Sequence, residues 1–318
     1  MISIIYSTNR KDPRFEWFLQ SLINQTTDLD RSNIEVIFID YCKSQRMPVE
    51  NTSGLKIIHA HPKPNIYQGP MRKTTGEYFS PSSARNTGIL LSSGEYLVFV
   101  DDVSVLMPGW WDAVKRNANR KIIVSGSYQK HFDMIVSCGV IVSSRSHDMG
   151  KDSRWEMGSN EPVKLYGSIL FGCSLGIPAD AILAVNGFDE ICDSIGGEDY
   201  HLGMRLNNAG FQVYYDRSMM TVESEELHNQ PYLMKREDRV LPPDQYMERL
   251  RYYGVQKRHI DGNWDSSHMI IDILYGSKQK WTIGNNYSII KDRPHKMLFP
   301  MPQTDKHWFD NKPLNEMI

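Results

Sequence analysis

The acidic pair Asp101 and Asp102 has the chemistry of a ligand site. The two residues directly follow an apolar segment, residues 95–100, that is typical of a buried strand. Paired carboxylates just beyond a parallel strand can hold a divalent cation through oxygen, and they can accept hydrogen bonds from a ribose. Acidic residues also end many strands as solvated caps, so this pair alone leaves both interpretations open.

A second acidic pair, Glu198 and Asp199, follows Gly196 and Gly197 and begins a segment with helical spacing. Glycines let a ligand approach the backbone, and the dipole of a helix favours an ionised carboxylate in its first turn. An ionised carboxylate beside an acceptor hydroxyl is what a general base requires. A simple helix cap is the alternative, and on the spacing alone it is favoured.

Arg85 is the third candidate, in the segment Ala84-Arg-Asn-Thr-Gly88 near a predicted helix start. Its guanidinium could reach a phosphate from there, because arginine presents several donors in a planar fork. An arginine on a helix surface is more often simply solvated.

Alternating strands and helices are predicted to position these residues. Apolar runs typical of strands cover residues 2–6, 35–39, 56–59 and 95–100, and helical spacing covers residues 15–23 and 84–91. Asp12 and Pro13 are predicted to start the first helix, and Ser80 to cap the second. This alternation predicts a parallel sheet with right-handed crossovers. Ligands bind beyond the carboxyl ends of such strands. The polar residues there are therefore predicted to face one cleft; they are Ser7 to Arg10, Asp40, Asp101 and Asp102.

The composition and missing motifs exclude several other classes. The 318 residues are 40% hydrophobic and 23% charged with a net charge of -2, which indicates a globular protein and disfavours nucleic acid as a partner. The chain contains neither GxGxxG nor GxxxxGK[ST], the usual nicotinamide and nucleoside triphosphate motifs. Its four cysteines form no CxxC pair, which favours a reducing, cytoplasmic location.

No signal core and no apolar segment of about 20 residues occur, so only peripheral membrane contact is expected. The polar segment 144–162, which contains Trp155, predicts a mobile lid. Strands are expected at residues 122–125, 134–142 and 212–215. The composition changes near residue 224, which predicts a catalytic domain over 1–223 and a carboxyl-terminal extension over 224–318 that is a candidate acceptor-binding region.

Five segments share their order and spacing with a known family. They are residues 80–91 with Ala84-Arg-Asn-Thr-Gly-Ile89, then Gly94-Glu-Tyr-Leu-Val-Phe-Val-Asp-Asp102, Pro108-Gly-Trp110, Gly187-Phe-Asp-Glu190, and Gly196-Gly-Glu-Asp-Tyr-His-Leu202 followed by Arg205 and Leu206. Over residues 1–216 the chain thus resembles the family 2 nucleotide-sugar glycosyltransferases of the GT-A fold. Each segment is weak evidence singly, and together they are specific.

The resemblance implies an α/β fold, a GT-A (Rossmann-like), mostly parallel mixed sheet flanked by helices, with the extension following it. It implies inverting transfer of a sugar from a nucleoside diphosphate sugar, with UDP as the default, to a hydroxyl of a glycan, lipid-linked or protein acceptor. The implied roles are nucleoside contact for Thr8 and Asp40, contact near the base and diphosphate for Arg85, ribose and metal contact for Asp101, general base for Asp199, and acceptor binding or loop support for Glu198.

The family pattern also implies a metal, Mn²⁺ or Mg²⁺, held at a DxD motif. Here the third position of that motif is Val103, which has no ligating atom. Either Asp102 serves in its place, or the metal site is weak or absent. His228 matches a place where some related enzymes carry a metal-binding histidine. Either the metal or basic groups such as Arg85 would then meet the charge of the leaving diphosphate.

Two other functions stay open at this point. A sugar-nucleotide or glycan-binding protein of the same fold could have lost catalysis, which Val103 makes plausible. A nucleotidyltransferase is the other, although the loop after the first strand, residues 7–13, lacks the glycines that such enzymes usually have.

Several tryptophans and tyrosines could contact a sugar. Trp110 is expected in the core, and Trp155 is the better candidate for a sugar contact. Aromatic residues of the extension could form an acceptor platform or simply cover the domain; they are Tyr232, Tyr246, Tyr252, Tyr253, Trp264 and Trp281.

Overall fold

A computed structural model describes residues 1–62, 80–158, 161–185, 187–188 and 197–229. Its strands are β1 Ile2–Thr8, β2 Ile34–Asp40, β3 Lys56–Ala60, β4 Tyr96–Asp101, β5 Ser104–Leu106, β6 Ile123–Ser137, β7 Val140–Lys151, β8 Val163–Leu165, β9 Ser174–Pro178 and β10 Val213–Ser224. Its helices are α1 Phe15–Gln25, α2 Asp28–Ser32, α3 Pro81–Leu91, α4 Trp110–Arg120, α5 Ala179–Ala184, α6 Glu198–Asn208 and α7 Glu225–Asn229.

The strands form one mixed sheet in the order β3-β2-β1-β4-β9-β6-β10-β5, with β7 beside β6 and β8 beside β10. The first four strands of this order are parallel to one another. Strand β9 lies antiparallel between β4 and β6, and β10 is parallel to β6. The mostly parallel mixed sheet predicted from the sequence is therefore confirmed.

Helices cover both faces of the sheet. Successive side chains of each strand point to opposite sides, so one strand can contribute apolar side chains to both faces. On β1, Ile5 packs with the cluster that contains residues of α3, α5 and α6. Its neighbours Ile4 and Tyr6 pack with the cluster that contains residues of α1 and α4. The near-continuous apolar runs of the sequence follow from this double burial.

The two predicted helix starts have different outcomes. Ser80 caps α3 as predicted, since its Oγ accepts the Ser83 N–H and Pro81 occupies the first turn. Helix α1 begins at Phe15, so the predicted start at Asp12 and Pro13 is wrong. Arg14 adopts a left-handed conformation with φ of 53°, and this turns the chain before the helix begins.

The region predicted as two short strands and a lid is a long antiparallel ribbon. Strands β6 and β7 pair with each other and are joined by a tight turn at Cys138 and Gly139, both with positive φ. The tip lies against α1, where the Asn24 side-chain amide donates to the Cys138 carbonyl at 2.7 Å.

The predicted lid is wrong for most of its length. Residues 144–151 belong to β7, and after them Asp152 and Arg154 form a buried ion pair with an N···O distance of 2.7 Å. The side chains of β7 from residue 140 to residue 146 are exposed or half-buried. A polar segment of this kind resembles a loop in the sequence. Residues 159–160 lie outside the described part.

The tryptophan predictions also differ in outcome. Trp110 is fully buried, which confirms the expectation, and its Nε1–H donates to the Ser174 hydroxyl. Trp155 is half-buried, with the cations of Lys151 and Arg217 against its ring. Its sugar contact stays a prediction. The six aromatic residues named in the extension lie outside the described residues, as do residues 189–190 and Gly196 of the matching motifs.

None of the helices in the described ranges has both the length and the apolar character needed to cross a membrane.

Gly88 seats α3 directly on β1. A Cβ at this position would lie 2.4 Å from Cγ2 of Ile5, and overpacking of this kind costs about 1–3 kcal/mol. We expect Gly88→Ala to lower the free energy of unfolding by this amount in urea denaturation. Ile5→Ala alone should cost about 2–5 kcal/mol through the cavity it leaves.

In the double variant the added methyl group faces the space that Ile5 vacates, so the combined loss should be smaller than the sum of the single losses. Strictly additive losses would show that the contact between Gly88 and Ile5 does not determine how closely α3 packs on β1.

Candidate active site

The carboxyl edge of the parallel strands brings together the residues predicted to face one cleft. Thr8 at the end of β1 is in register with Asp40 at the end of β2. Ser7 of β1 is in register with Asp101 at the end of β4. Three strand ends separated along the chain thus meet at one edge, as expected for a parallel sheet.

Arg85 joins three acids at this edge. Its Nη1 lies 2.8 Å from Asp199 Oδ1 and 3.1 Å from Glu198 Oε1, while its Nη2 lies 2.9 Å from Asp101 Oδ1. The side chain is buried, with 4% of the residue exposed, and it lies over the ring of Phe188. Asp101, the acidic pair Glu198 and Asp199, and the arginine predicted from the sequence therefore form one cluster.

Asn86 links two of the matching motifs, the Ala84-Arg-Asn-Thr-Gly88 segment of α3 and the segment that begins with Gly187 and Phe188. Its side-chain amide donates to the Phe188 carbonyl at 2.9 Å and accepts the Phe188 N–H at 2.8 Å. This pair of hydrogen bonds fixes Phe188 beneath the Arg85 guanidinium.

Asp199 is held on both carboxylate oxygens. Oδ1 accepts from Arg85, and Oδ2 accepts the Gly172 N–H at 2.8 Å. A Cβ on Gly172 would lie 2.5 Å from Asp199 Oδ1, so a glycine is needed for this close approach. Each carboxylate oxygen has two acceptor positions, and the Asp199 side chain is 23% exposed. The carboxylate therefore remains reachable by a further donor.

Burial and the charges of neighbouring acids shift the pKa values of the α6 acids. Burial, followed by the charge of Asp199, raises the pKa of Glu198 to about 7, against the opposing effect of Arg85. Burial also raises the pKa of Asp199, and the Arg85 guanidinium is the main influence that lowers it. The arginine thus favours the ionised form that a general base needs.

Asp102 belongs to a second, adjacent contact. Its Oδ2 accepts the Thr8 hydroxyl at 2.6 Å and the Arg10 Nε–H at 2.9 Å. Burial raises the pKa of Asp102, and the charge of Arg10 opposes that increase. Thr8 and Asp102 are therefore brought together as predicted, through an arginine that the sequence analysis did not single out.

The turn after Asp102 depends on an unusual backbone conformation. Val103 has a φ of 55°, which is rare for a β-branched residue, and its side chain is fully buried. Its N–H lies 3.0 Å from both the Pro13 carbonyl and the Tyr6 hydroxyl oxygen. The turn lets Asp101 contact Arg85 and Asp102 contact Arg10, and it directs the Val103 side chain into the core.

Asp40 is fully buried, and donors from the protein contact both of its oxygens. Arg46 Nε lies 2.6 Å and His59 Nε2 3.0 Å from Oδ2, while the Cys42 N–H reaches Oδ1 at 2.8 Å. Burial raises the pKa of Asp40, but these hydrogen bonds more than offset it, so the net pKa is lowered. Its contact with a nucleoside stays a prediction.

The predicted metal ligands do not assemble into a metal site. Within the described ranges, no three His, Cys, Asp or Glu side chains gather closely enough to hold a metal ion. Asp101 is paired with Arg85 and Asp102 with Arg10. Burial, with the charges of Lys130 and Arg10, lowers the pKa of His228 to about 4. In this arrangement the donor set does not fit a divalent cation, and the ligand roles stay predictions.

The sequence predicts residues 7–10 at this edge but gives Arg10 no role of its own, and it does not indicate Gly172 or Glu223. Glu223 lies on β10 and is almost fully buried. Burial, followed by the charge of Asp101, raises its pKa to about 8, with Lys130 opposing. Inside a strand pattern nothing in the sequence marks this carboxylate, because its importance comes from long-range contacts.

Comparisons with known proteins connect the chain to glycosyltransferases. The family profile described as Glycosyl transferase family 2 matches residues 3–156. An uncharacterized glycosyltransferase of Haemophilus influenzae is 31% identical over 108 residues, which is 34% of this chain and 31% of that protein. The match thus spans about a third of the relative's length.

Two solved structures resemble the fold. One is TarS residues 1–349 of S. aureus in complex with UDP-GlcNAc, with a TM-score of 0.53, 13% identity, and coverage of 86% of this chain and 71% of that chain. The other is GalNAc-T7 with UDP, GalNAc and Mn²⁺, with a TM-score of 0.50, 12% identity, and coverage of 92% and 54%. This likeness confirms the predicted fold class, the GT-A type of sheet.

The buried Glu223 predicts a pH-dependent stability. Between its ordinary pKa of 4.5 and the raised value of about 8, the folded state binds more protons than the unfolded chain. The free energy of unfolding therefore falls as the pH rises through this window. Glu223→Gln keeps the neutral form, so its stability relative to the wild type should increase from pH 5 to pH 8 by about 1–3 kcal/mol.

Thermal unfolding followed across this pH range tests the expectation. Glu226→Gln is the matched control, since Glu226 is exposed and its hydrogen bond from the Asp133 N–H lowers its pKa. The stability of Glu226→Gln relative to the wild type should not increase as the pH rises. A difference between Glu223→Gln and the wild type that stays constant with pH would contradict the assignment.

Proposed function

We propose that the protein transfers a sugar from a nucleoside diphosphate sugar to an acceptor hydroxyl with inversion, and that Asp199 is the general base. The observation that carries this proposal is the Arg85 cluster. It joins an acid at a strand end, Asp101, to an acid at the amino end of a helix, Asp199, at the ligand-binding edge of the sheet. The similarity to Glycosyl transferase family 2 over residues 3–156 supports the same reaction class.

Asp199 has the features that proton abstraction requires. The carboxylate is ion-paired with a buried arginine, fixed by the Gly172 N–H, and still partly exposed. An acceptor hydroxyl beside it would lose its proton to the carboxylate as its oxygen attacks the anomeric carbon. The leaving diphosphate departs on the opposite face of the sugar, and this opposed placement produces inversion.

The departing diphosphate gains negative charge, which a cation must stabilise. Arg85 and Arg10 are fixed at this edge by their ion pairs with Asp101 and Asp102. Glu198, with its pKa raised to about 7, would carry a proton in part of the neutral range and so reduce the excess negative charge near the leaving group. We assign it to acceptor binding or to support of the loop.

UDP is the proposed nucleoside diphosphate. The TarS structure contains UDP-GlcNAc, and the GalNAc-T7 structure contains UDP and GalNAc, and both share the fold of this chain. The acceptor can be a glycan, a lipid-linked molecule or a protein, and its identity does not enter the chemistry above.

Asp199→Asn tests the base directly. The variant keeps the size of the side chain but cannot take a proton, so UDP release from UDP-GlcNAc should fall by about 10²–10⁴-fold. UDP itself should still raise the melting temperature of the variant, because nucleotide binding does not require Asp199 to accept a proton. Asp112→Asn is the control, since Asp112 is an exposed acid on α4 and should leave the rate unchanged.

Three results would contradict the proposal. Retention of the wild-type rate by Asp199→Asn would remove that residue as the base. Release of pyrophosphate in place of UDP would indicate a nucleotidyltransferase. Binding of UDP-GlcNAc with no turnover in the presence of acceptor mixtures would indicate a sugar-nucleotide-binding protein.

A further inference from the structure

The guanidinium of Arg10 lies between two of the residues predicted to bind a metal. Its Nε donates to Asp102 Oδ2 at 2.9 Å. Its Nη1 donates to the Leu227 carbonyl at 2.6 Å, and its Nη2 to the His228 carbonyl at 3.2 Å. A single side chain thus joins the turn after β4 to the end of α7.

This position is built into the fold on both the side chain and the backbone. Arg10 is only 6% exposed. Its N–H donates to Thr8 Oγ1 at 3.1 Å, and its carbonyl accepts from Arg46 Nη2 at 2.8 Å. Arg46 is itself paired with the buried Asp40, so the loop after β1 is fixed by residues of the next strand and its following turn.

We propose that Arg10 supplies at Asp102 the fixed positive charge that a divalent cation would otherwise supply, so that the protein binds a nucleoside diphosphate without a metal. The proposal rests on the proposed function for its ligand. Binding without a metal contrasts with the Mn²⁺ or Mg²⁺ that the resemblance implies.

Admitting a metal to this place would be costly for three reasons. Arg10 would have to leave Asp102 and two backbone carbonyls, and buried acceptors left without a donor are destabilising. A dication would also repel Arg10 and Lys130, and this repulsion is strong in a poorly solvated site. Finally, Val103 cannot provide the missing ligand, because its side chain is buried in the core.

The loss of Arg10 should therefore create a metal requirement. In Arg10→Gln the Asp102 carboxylate keeps the Thr8 hydroxyl but loses its cation, and a divalent ion can replace it. The matched control is Arg145→Gln, which removes an arginine from an exposed ion pair with Asp133 on the β6–β7 ribbon.

The first measurement is Mn²⁺ binding to the full chain without nucleotide, followed by the electron paramagnetic resonance signal of free Mn²⁺. The wild type and Arg145→Gln should leave the signal of one equivalent of Mn²⁺ unchanged, and Arg10→Gln should reduce it. Stoichiometric Mn²⁺ binding by the wild type would overturn the proposal. This result does not depend on nucleotide binding.

The second measurement is the Kd of UDP by calorimetry, in EDTA and in excess Mn²⁺. The wild type should bind UDP in EDTA, with a Kd that Mn²⁺ changes by less than about twofold. In Arg10→Gln, Mn²⁺ should tighten UDP binding by about tenfold, a usual scale for coupling between two ligands. A wild type that binds UDP only with Mn²⁺ would overturn the proposal.

The outcomes separate this proposal from the proposed function. Failure of the wild type to bind UDP under either condition would contradict the proposed function, while the Mn²⁺ titration would still decide the role of Arg10. If Arg10→Gln does not fold, the two wild-type measurements decide alone: metal-free UDP binding without an Mn²⁺ site supports the proposal, and a tight Mn²⁺ site overturns it.

Discussion

The buried ion pairs of Arg85 fix the geometry of the candidate active site. One guanidinium contacts acids from the end of β4 and from the first turn of α6, which lie about a hundred residues apart along the chain. Removing one partner from such a buried set leaves an uncompensated charge. The resulting destabilisation is larger than the net stabilisation that the intact ion pairs provide. The strand end, the helix start and the glycine at position 172 are therefore positioned together.

The same edge carries more carboxylates than arginines, and this excess shapes its chemistry. Arg85 pairs with Asp101 at the end of β4 and Arg10 with Asp102 in the turn after it, while the pKa values of Glu198 and Glu223 are raised. Protons and guanidinium groups thus share the balancing of negative charge. A ligand that brings further negative charge, such as a diphosphate, enters a site whose cations are already fixed in place.

The first strands and the meeting of Thr8, Asp40 and Asp101 follow from local patterns, whereas the role of Asp199 beside them is expected only from the family resemblance. Apolar runs marked β1, β2 and β4, and parallel strands necessarily align their carboxyl ends. The partner of Arg10 and the role of Glu223 could not be predicted because their contacts are long-range, as in the link from Arg10 to Asp102. The left-handed Val103 has no sequence signal, because valine disfavours that conformation. Residues 144–151 of β7 resemble a loop in the sequence because most of them are polar.

The turn at Cys138 and Gly139 has a consequence for how the chain can vary in length. Both residues adopt left-handed conformations, as a two-residue hairpin of this type requires. A Cβ on Gly139 would lie 2.3 Å from the Ser21 backbone nitrogen of α1, so the tip touches the helix without spare room. An inserted residue would lift the ribbon from α1. Insertions and deletions should therefore be excluded here and tolerated instead in the turn between β2 and β3, where Lys43, Ser44 and Gln45 are exposed.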